Sequence, residues 1–336
     1  MDDFTLLVPV RDRVYNIKNI CSYYKDLDCR KLIVDSSKVE FDDIDLIQSC
    51  GFEYIYYGPT TYIEKMNRIY KEIITTEFVL DCADDDIVLK NSIKECVEFL
   101  RKNKDYSCCD GGTLKLVKPS NHLKMYRFNS FMGRLKENFS SPIIKERLSF
   151  EFNCWQTKQH AVLRTQAASR VWDFLQSNPP LHPLSLIEVI HCFVISMMGN
   201  VKSLSSVCNI RNDHNPQQFF NHGECREISL PDGFERDDRL IHRVDIKDEF
   251  QSEVKISSIL EDERLKLLVD LLLEDDSTST ELETYNFVKK LLGDFIVAAP
   301  DQCHIDCDNW EGRAKTIMQL TAINDQVAEA INFMQL

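Results

Sequence analysis

The feature that most constrains the fold is an alternation running through residues 4–103. Short, largely apolar runs begin at Phe4 (FTLLVPV), Lys31 (KLIVD), Tyr54 and Phe78 (FVLD). Each is followed by apolar residues at helical spacing. These are Val14, Ile17, Ile20, Cys21 and Tyr24 after the first run, and Ile44 and Ile47 after the second. Ile63, Met66, Ile69, Tyr70 and Ile73 follow the third, and Ile93, Cys96, Val97 and Leu100 the fourth. A short continuous apolar run reads as a buried strand, and three-four spacing reads as a helix face. Strand–helix units of this length build a parallel sheet whose crossover helices cover both faces. The punctuation agrees. Pro9 ends the first strand because it cannot donate to a ladder. Gly51 suits a helix stop, and Gly58-Pro59-Thr60-Thr61 is a turn that ends in helix-capping residues.

In an open α/β sheet, ligands bind beyond the carboxyl ends of the strands. Arg11, Asp35 and the Gly58–Thr61 turn fall at that edge, and so does Asp81-Cys82-Ala83-Asp84-Asp85-Asp86. Four aspartates within six residues repel one another. Such a cluster is either a solvated acidic turn or a seat for a hard cation. Mg²⁺ and Mn²⁺ prefer carboxylate oxygen and share it with substrate phosphates. The position beside Arg11 and Asp35 favours the cation, with Asp84 and Asp86 facing the ligand and Asp81 closing the strand. No GxGxxG follows the first strand and no GxxxxGK[ST] occurs, which disfavours a dinucleotide fold and a P-loop enzyme.

Past residue 104 the pattern changes. Residues 105–130 read as short strands broken by Gly111-Gly112 and Pro119, and 141–150 as weakly helical. Gln159 to Arg164 reads as a strand and Thr165 to Gln176 as a helix ending before Asn178-Pro179-Pro180. Pro183 to Gly199 is a long apolar helix, and Val201 to Ile210 a strand that leads into Arg211. On the long helix Ser185, Glu188 and His191 share one face. They form either a solvent stripe with a core histidine, or the wall of a cleft with Glu188 held rigidly as a general base.

Charge marks the next boundary. Residues 1–220 carry 28 acidic and 28 basic side chains, so the whole net charge of −14 falls in residues 221–336. With the turn signals at 212–216, this divides the chain into a 1–215 domain and a 216–336 acidic, mainly helical domain. The first splits into a nucleotide-binding half, 4–103, and an acceptor half, 104–215. Helical periodicity returns at 256–273, 285–295 and 314–333. The balance argues against nucleic acid as a partner, which needs a basic face. Thirteen scattered cysteines without a CxxC read as reduced thiols. No apolar run approaches the roughly 18 residues of a membrane span, and the N-terminus lacks a basic leader. The expected location is therefore cytoplasmic.

FTLLVPVRDR, LIVDSS and FVLDCADDDIV together resemble the nucleotide-sugar glycosyltransferases of the GT-A fold, most of all the bacterial family 2-type enzymes that build surface polysaccharides. The resemblance spans residues 4–215. It implies a Rossmann-like, mostly parallel sheet flanked by helices, and a Mn²⁺ or Mg²⁺ cofactor. It implies that Pro9, Val10 and Arg11 border the nucleotide base, that Asp35 reaches base or ribose, and that Lys65 meets base or phosphate. A solvated lysine is the plainer reading of Lys65. Asp84, Asp85 and Asp86 match the DXD motif, with Asp84 and Asp86 as metal ligands. Glu188 matches the acidic base that deprotonates the acceptor, with Asp173 and Glu151 as other candidates. The family's Glu-Asp pair and Gln-x-x-Arg-Trp motif are absent, and Arg211 takes the diphosphate-binding place. His160 would flank the acceptor. The implied donor is a UDP-, GDP- or CMP-linked sugar and the acceptor a saccharide or lipid-linked saccharide. Transfer would be inverting and non-processive. Such an enzyme could work at the inner face of a membrane, with room for peripheral contact there and for homodimerisation through the C-terminal helices. Two other readings compete. A sugar-nucleotidyltransferase uses a similar sheet but opens with a glycine-rich loop, which Pro9-Val10-Arg11-Asp12-Arg13 lacks. A silent sugar- or nucleotide-binding module would keep the fold without the chemistry.

Overall fold

The computed structural model describes residues 1–13, 15–117, 124–127, 139–153, 158–181, 184–213, 227–228, 256–276, 278–298, 326 and 329–330. The expected alternation is present from the start. Strands β1 (Phe4–Val10), β2 (Arg30–Asp35), β3 (Glu53–Tyr56) and β4 (Phe78–Asp81) are separated by helices α1 (Tyr15–Tyr24), α2 (Ile44–Ser49) and α3 (Tyr62–Glu72). β1 lies between β2 and β4, and β3 flanks β2, all parallel. Side chains on these strands alternate between two cores. Leu7, Leu32, Val34 and Val79 face one cluster with Ile63, Met66 and Ile69 of α3. Leu6, Val8, Ile33 and Leu80 face the other with Ile17, Ile20 and Tyr24 of α1 and Ile47 of α2. Burial on both faces is why these strands read as unbroken apolar runs.

The second half continues the sheet with mixed polarity. A two-residue strand β5 (Ile87–Val88) leads into α4 (Lys90–Lys102), then β6 (Tyr106–Val117), β7 (Lys124–Arg127), α5 (Ile144–Asn153) and β8 (Val162–Arg164). After these come α6 (Thr165–Ser177), α7 (Leu184–Met198), β9 (Asn200–Asp213) and β10 (Glu227–Ile228). Among the described residues the sheet has ten strands, ordered β10-β7-β6-β8-β4-β1-β2-β3, with β9 beside β6 and β5. β8 runs antiparallel between β4 and β6. It thereby puts Asp110 of β6 at the same edge as Asp81 of β4.

Residues 106–117 form one long strand, where two pieces broken at Gly111-Gly112 were expected. Gly111 is there because β9 presses on it. A Cβ at that position would sit 2.8 Å from the Ser206 carbonyl and 2.2 Å from Cys208 Sγ. The ladder shifts register at this point and continues. Pro119 and the predicted 314–333 helix lie outside the described residues, apart from Gln326, Glu329 and Ala330. Gly51, with φ 75°, stops α2 as expected.

At the C-terminal side, a 3₁₀ turn at Ile256–Leu260 precedes α8 (Asp262–Asp275), and α9 (Glu281–Ala298) follows. Leu265, Leu268, Leu272, Val288 and Leu292 are buried in the same cluster as Leu148 and Phe152 of α5 and Phe193 of α7. Phe295 meets Phe152 edge-on at 5.4 Å. Among the described residues, no helix is long and apolar enough to cross a membrane.

Candidate functional site

The aspartate turn leaves β4 at its carboxyl end and is braced from below. Asp86 N–H bonds the Ala83 carbonyl at 3.2 Å, and Tyr24 OH donates to the Val88 carbonyl at 2.9 Å. The short strand β5 then fixes what stands opposite. Ile87 pairs with Ile210 in an antiparallel ladder, which sets Asp86 beside Arg211. Arg211 Nε lies 3.4 Å from Asp86 Oδ2, and His160 Nε2 lies 2.9 Å from the same oxygen. His160 is carried there by the turn that opens β8, where Ala161 N–H bonds the Lys158 carbonyl.

Asp84 and Asp85 have a different partner. The guanidinium of Arg13 spans both, with Nη2 2.5 Å from Asp84 Oδ1 and Nη1 donating to Asp85 Oδ2. The Asp84 side chain has no exposed surface. Burial pushes its carboxyl up to about 8, opposed by the charge of Arg13. Asp81 is buried as well and is pushed up to about 7. It accepts Tyr70 OH at 2.7 Å and closes the strand as expected.

The neighbouring loops form a linked brace. Asp35 is fully buried, and both its oxygens are engaged. Oδ1 accepts Ser37 N–H at 2.8 Å and Ser37 Oγ at 2.5 Å, while Oδ2 accepts Tyr54 OH at 2.7 Å. Ser37 Oγ in turn accepts Asp12 N–H at 2.7 Å, and Asp12 Oδ1 accepts Lys38 N–H at 2.9 Å. These bonds hold Asp12 in the left-handed region, φ 51°, which aspartate tolerates better than most residues. Lys65 is a buried strut and not a solvated lysine. Its Nζ, from the first turn of α3, donates to the Val10 carbonyl and to Ser36 Oγ, both at 2.9 Å, at the adjoining ends of β1 and β2. Burial pulls its ammonium down to about 7, against the pull of Asp84 and Asp35. Arg11 turns the other way, toward the Thr60 carbonyl at 3.4 Å, and Pro9 and Val10 end the strand between them.

The structure therefore brings Asp84, Asp85, Asp86, His160 and Arg211 together, with Lys65 and Asp35 directly behind. Glu188 is half-buried on α7 and takes no part in the ion pairs that join these groups. His191 is buried against Trp172, ring centroids 4.9 Å apart, and burial pulls its imidazole down to about 4. Glu151 is buried and bound to Lys158 Nζ at 2.9 Å, and Asp110 holds the same ammonium at 3.1 Å. Asp173 pairs with Lys71 at 2.9 Å, and it lines a cleft with Tyr70, Thr165, Gln166, Ser169, Arg170 and Met198.

Two functional-looking groups escaped the sequence reading. Arg13 stands in the same Arg-Asp-Arg run as Arg11, and the run itself was the signal. Lys158 had none, because its acidic partners sit on other elements, Glu151 on α5 and Asp110 on β6.

Among the described residues no three His, Cys, Asp or Glu side chains converge as a self-sufficient metal site would require. The donor set nonetheless fits a hard cation. Asp84 and Asp86 are neighbouring carboxylates, and neither oxygen of Asp84 accepts an aligned hydrogen bond. Two carboxylates leave the remaining octahedral positions to phosphate and water, which is how Mg²⁺ is commonly held beside a diphosphate.

Fold and site together define an α/β protein with an acidic cluster, ringed by arginine and histidine, at the carboxyl edge of a parallel half-sheet. No protein-family model matches the chain, and no curated protein matches it. Among solved structures it is similar to the crystal structure of S. aureus TarS, at 13% identity and TM-score 0.39, covering 86% of this chain and 55% of that one. It is similar also to the crystal structure of S. aureus TarS 1-349, at 13% identity and TM-score 0.38, covering 90% of this chain and 92% of that one. The chain thus spans 55% of the length of the first TarS chain.

Proposed function

We propose that the chain is a metal-dependent glycosyltransferase. It moves a sugar from a UDP-, GDP- or CMP-linked donor to a saccharide or lipid-linked saccharide acceptor, with inversion and without processivity, in surface polysaccharide synthesis. One observation carries the reading: Arg13, His160 and Arg211 converge on Asp84, Asp85 and Asp86 at the strand edge where α/β sheets bind ligands.

Asp84 and Asp86 would hold Mn²⁺ or Mg²⁺, which supplies charge neutralisation to the departing diphosphate. Arg211, partly exposed beside Asp86, offers the diphosphate a planar fork of donors. Pro9, Val10 and Arg11 border the nucleoside. Asp35 acts there through Tyr54 and Ser37, the groups its carboxylate holds. Lys65 keeps the β1 and β2 ends at a fixed separation. His160 orients Asp86 and faces the acceptor side. Glu188 is the base assigned to the acceptor hydroxyl.

The test is a panel of nucleotide sugars with and without Mn²⁺, read as nucleotide release. Metal-dependent release is expected, and Asp86→Ala should abolish it while leaving the circular-dichroism spectrum unchanged. Full activity in Asp86→Ala would refute the metal bridge. A second reading, the silent binding module, is favoured by Arg13 already occupying Asp84 and Asp85. Metal-independent binding without turnover would support it. Pyrophosphate release from a nucleoside triphosphate and a sugar phosphate would point to a nucleotidyltransferase.

A further inference from the structure

Each ligand-facing aspartate has its own counter-ion, and the counter-ions differ in how they are mounted. Arg211 reaches Asp86 from β9, whose pairing with β5 fixes its distance. Arg13 reaches Asp84 and Asp85 from a turn. The backbone of that turn is pinned, because Ser37 Oγ and Lys38 N–H both bind Asp12. The side chain beyond it is long and about one quarter exposed, at 23%, whereas the Asp84 side chain is wholly enclosed. Arg13 can therefore swing its guanidinium into the cleft without moving the main chain. Asp84 cannot follow it.

The electrostatics around Asp84 make that swing conditional. The charged groups that act on it are Arg13 and Lys65 on one side and Asp85 and Asp86 on the other. Lys65 is anchored to Val10 and Ser36 and stays. A divalent cation seated on Asp84 and Asp86 would stand within contact distance of the Arg13 guanidinium and repel it. The nearest new anion would be the diphosphate of the donor, which suits a bidentate guanidinium.

We propose that Arg13 is the resident counter-ion of Asp84, displaced when a divalent cation binds and passed to the donor diphosphate. The inference rests on the transferase reading above. It makes cation binding and diphosphate binding two halves of one exchange, in which Arg13 competes with the cation and then assists the nucleotide.

The test titrates Mn²⁺ into Arg13→Gln and the unaltered protein without nucleotide, reading free Mn²⁺ by electron paramagnetic resonance. Removing the competitor should tighten Mn²⁺ binding about fivefold or more. UDP and GDP are then titrated into each Mn²⁺-loaded protein, and the variant should bind the preferred diphosphate about tenfold more weakly. Equal or weaker Mn²⁺ binding by Arg13→Gln overturns the displacement, and equal diphosphate affinity overturns the transfer. If Arg13→Gln does not fold, Arg13→Lys, which cannot span two carboxylates, should show the same two changes at smaller size. No change in either overturns the inference. Mn²⁺ binding is read without turnover. A negative result here therefore leaves nucleotide release by the unaltered protein standing, and a failure of nucleotide release leaves the Mn²⁺ comparison readable.

Discussion

Asp84 is a carboxylate placed where burial works against its charge. Its carboxyl is raised to about 8 in the folded chain, against 3.8 for an unperturbed aspartate. Between those values the unfolded chain gives up the proton that the folded chain keeps. Stability contributed at this position is therefore lost as pH rises from about 4 to about 8, and it levels off above. Asparagine has the same shape and no titration. Asp84→Asn should flatten that slope and raise stability at pH 8, without divalent cation, by about 2 kcal/mol, while Mn²⁺ binding disappears. Urea denaturation at pH 5 and pH 8 checks the first part and the Mn²⁺ titration the second. A variant less stable than the parent at pH 8 would mean that the Arg13 ion pair outweighs the burial. At this scale the sequence was a fair guide to which residues meet and a poor one to what each does. Asp84 to Asp86 were legible because repulsion among adjacent carboxylates demands a cause. The solvated reading of Lys65 failed, since nothing in its neighbours announces that its ammonium reaches the Val10 carbonyl and Ser36 Oγ. Asp35 was placed correctly at the edge, yet its oxygens are used by Ser37 and Tyr54, partners that only the folded loop supplies.

Lys158 ties three elements into one piece. Its ammonium has no exposed surface and lies between Glu151 on α5 and Asp110 on β6, while its own segment opens β8 and delivers His160 to Asp86. A buried cation removed from between two buried carboxylates takes away the ammonium that both share. Lys158→Met should therefore cost about 3–5 kcal/mol, measured as a lowered midpoint in urea. The double variant Lys158→Met with Glu151→Gln should recover part of that loss, because one of the stranded charges goes with it. Equal loss in single and double variants would show that the ion pairs do not couple. Elements were legible in proportion to how locally they are determined. β1, β2 and β4 are buried on both faces, so their apolar runs stand out. α3 begins at Thr61, whose hydroxyl accepts Glu64 N–H at 3.2 Å, a signal written in the sequence. β5 is two residues long and exists only because β9 lies beside it. The glycines of β6 look like a break in isolation, but Gly111 is where Ser206 and Cys208 of β9 come close.

At the scale of the whole molecule, the charge asymmetry suggested a separate acidic domain after residue 215. The described C-terminal helices share a core with the first part. Leu268 and Leu272 of α8 and Val288 and Leu292 of α9 are fully buried in the cluster that contains Phe152, Trp172 and Phe193. Polar contacts cross the same seam. Arg264 donates to the Pro180 carbonyl at 2.8 Å, and Arg170 pairs with Asp275 at 2.7 Å. Charge is a property of surfaces and says nothing about which apolar faces meet, so a boundary drawn from charge can pass through a continuous core. A shared core predicts a shared transition. Calorimetry should give one endotherm for α8, α9 and the sheet, and a charge placed at the seam should move all of it. Leu268→Asp buries a carboxylate among aliphatic side chains and should lower the single midpoint by about 4 °C or more, about 3 kcal/mol or above. Two endotherms, of which only the lower shifts, would instead mean that residues 216–336 fold as their own domain. The outcome also bears on the site. α7 packs against α5 and α6, and the α8–α9 pair covers α5 from outside. If the seam is one cooperative unit, loosening α8 should weaken the Lys158 node on α5 and with it the placement of His160. Mn²⁺-dependent nucleotide binding should then fall in Leu268→Asp at temperatures where the far-ultraviolet spectrum is still native.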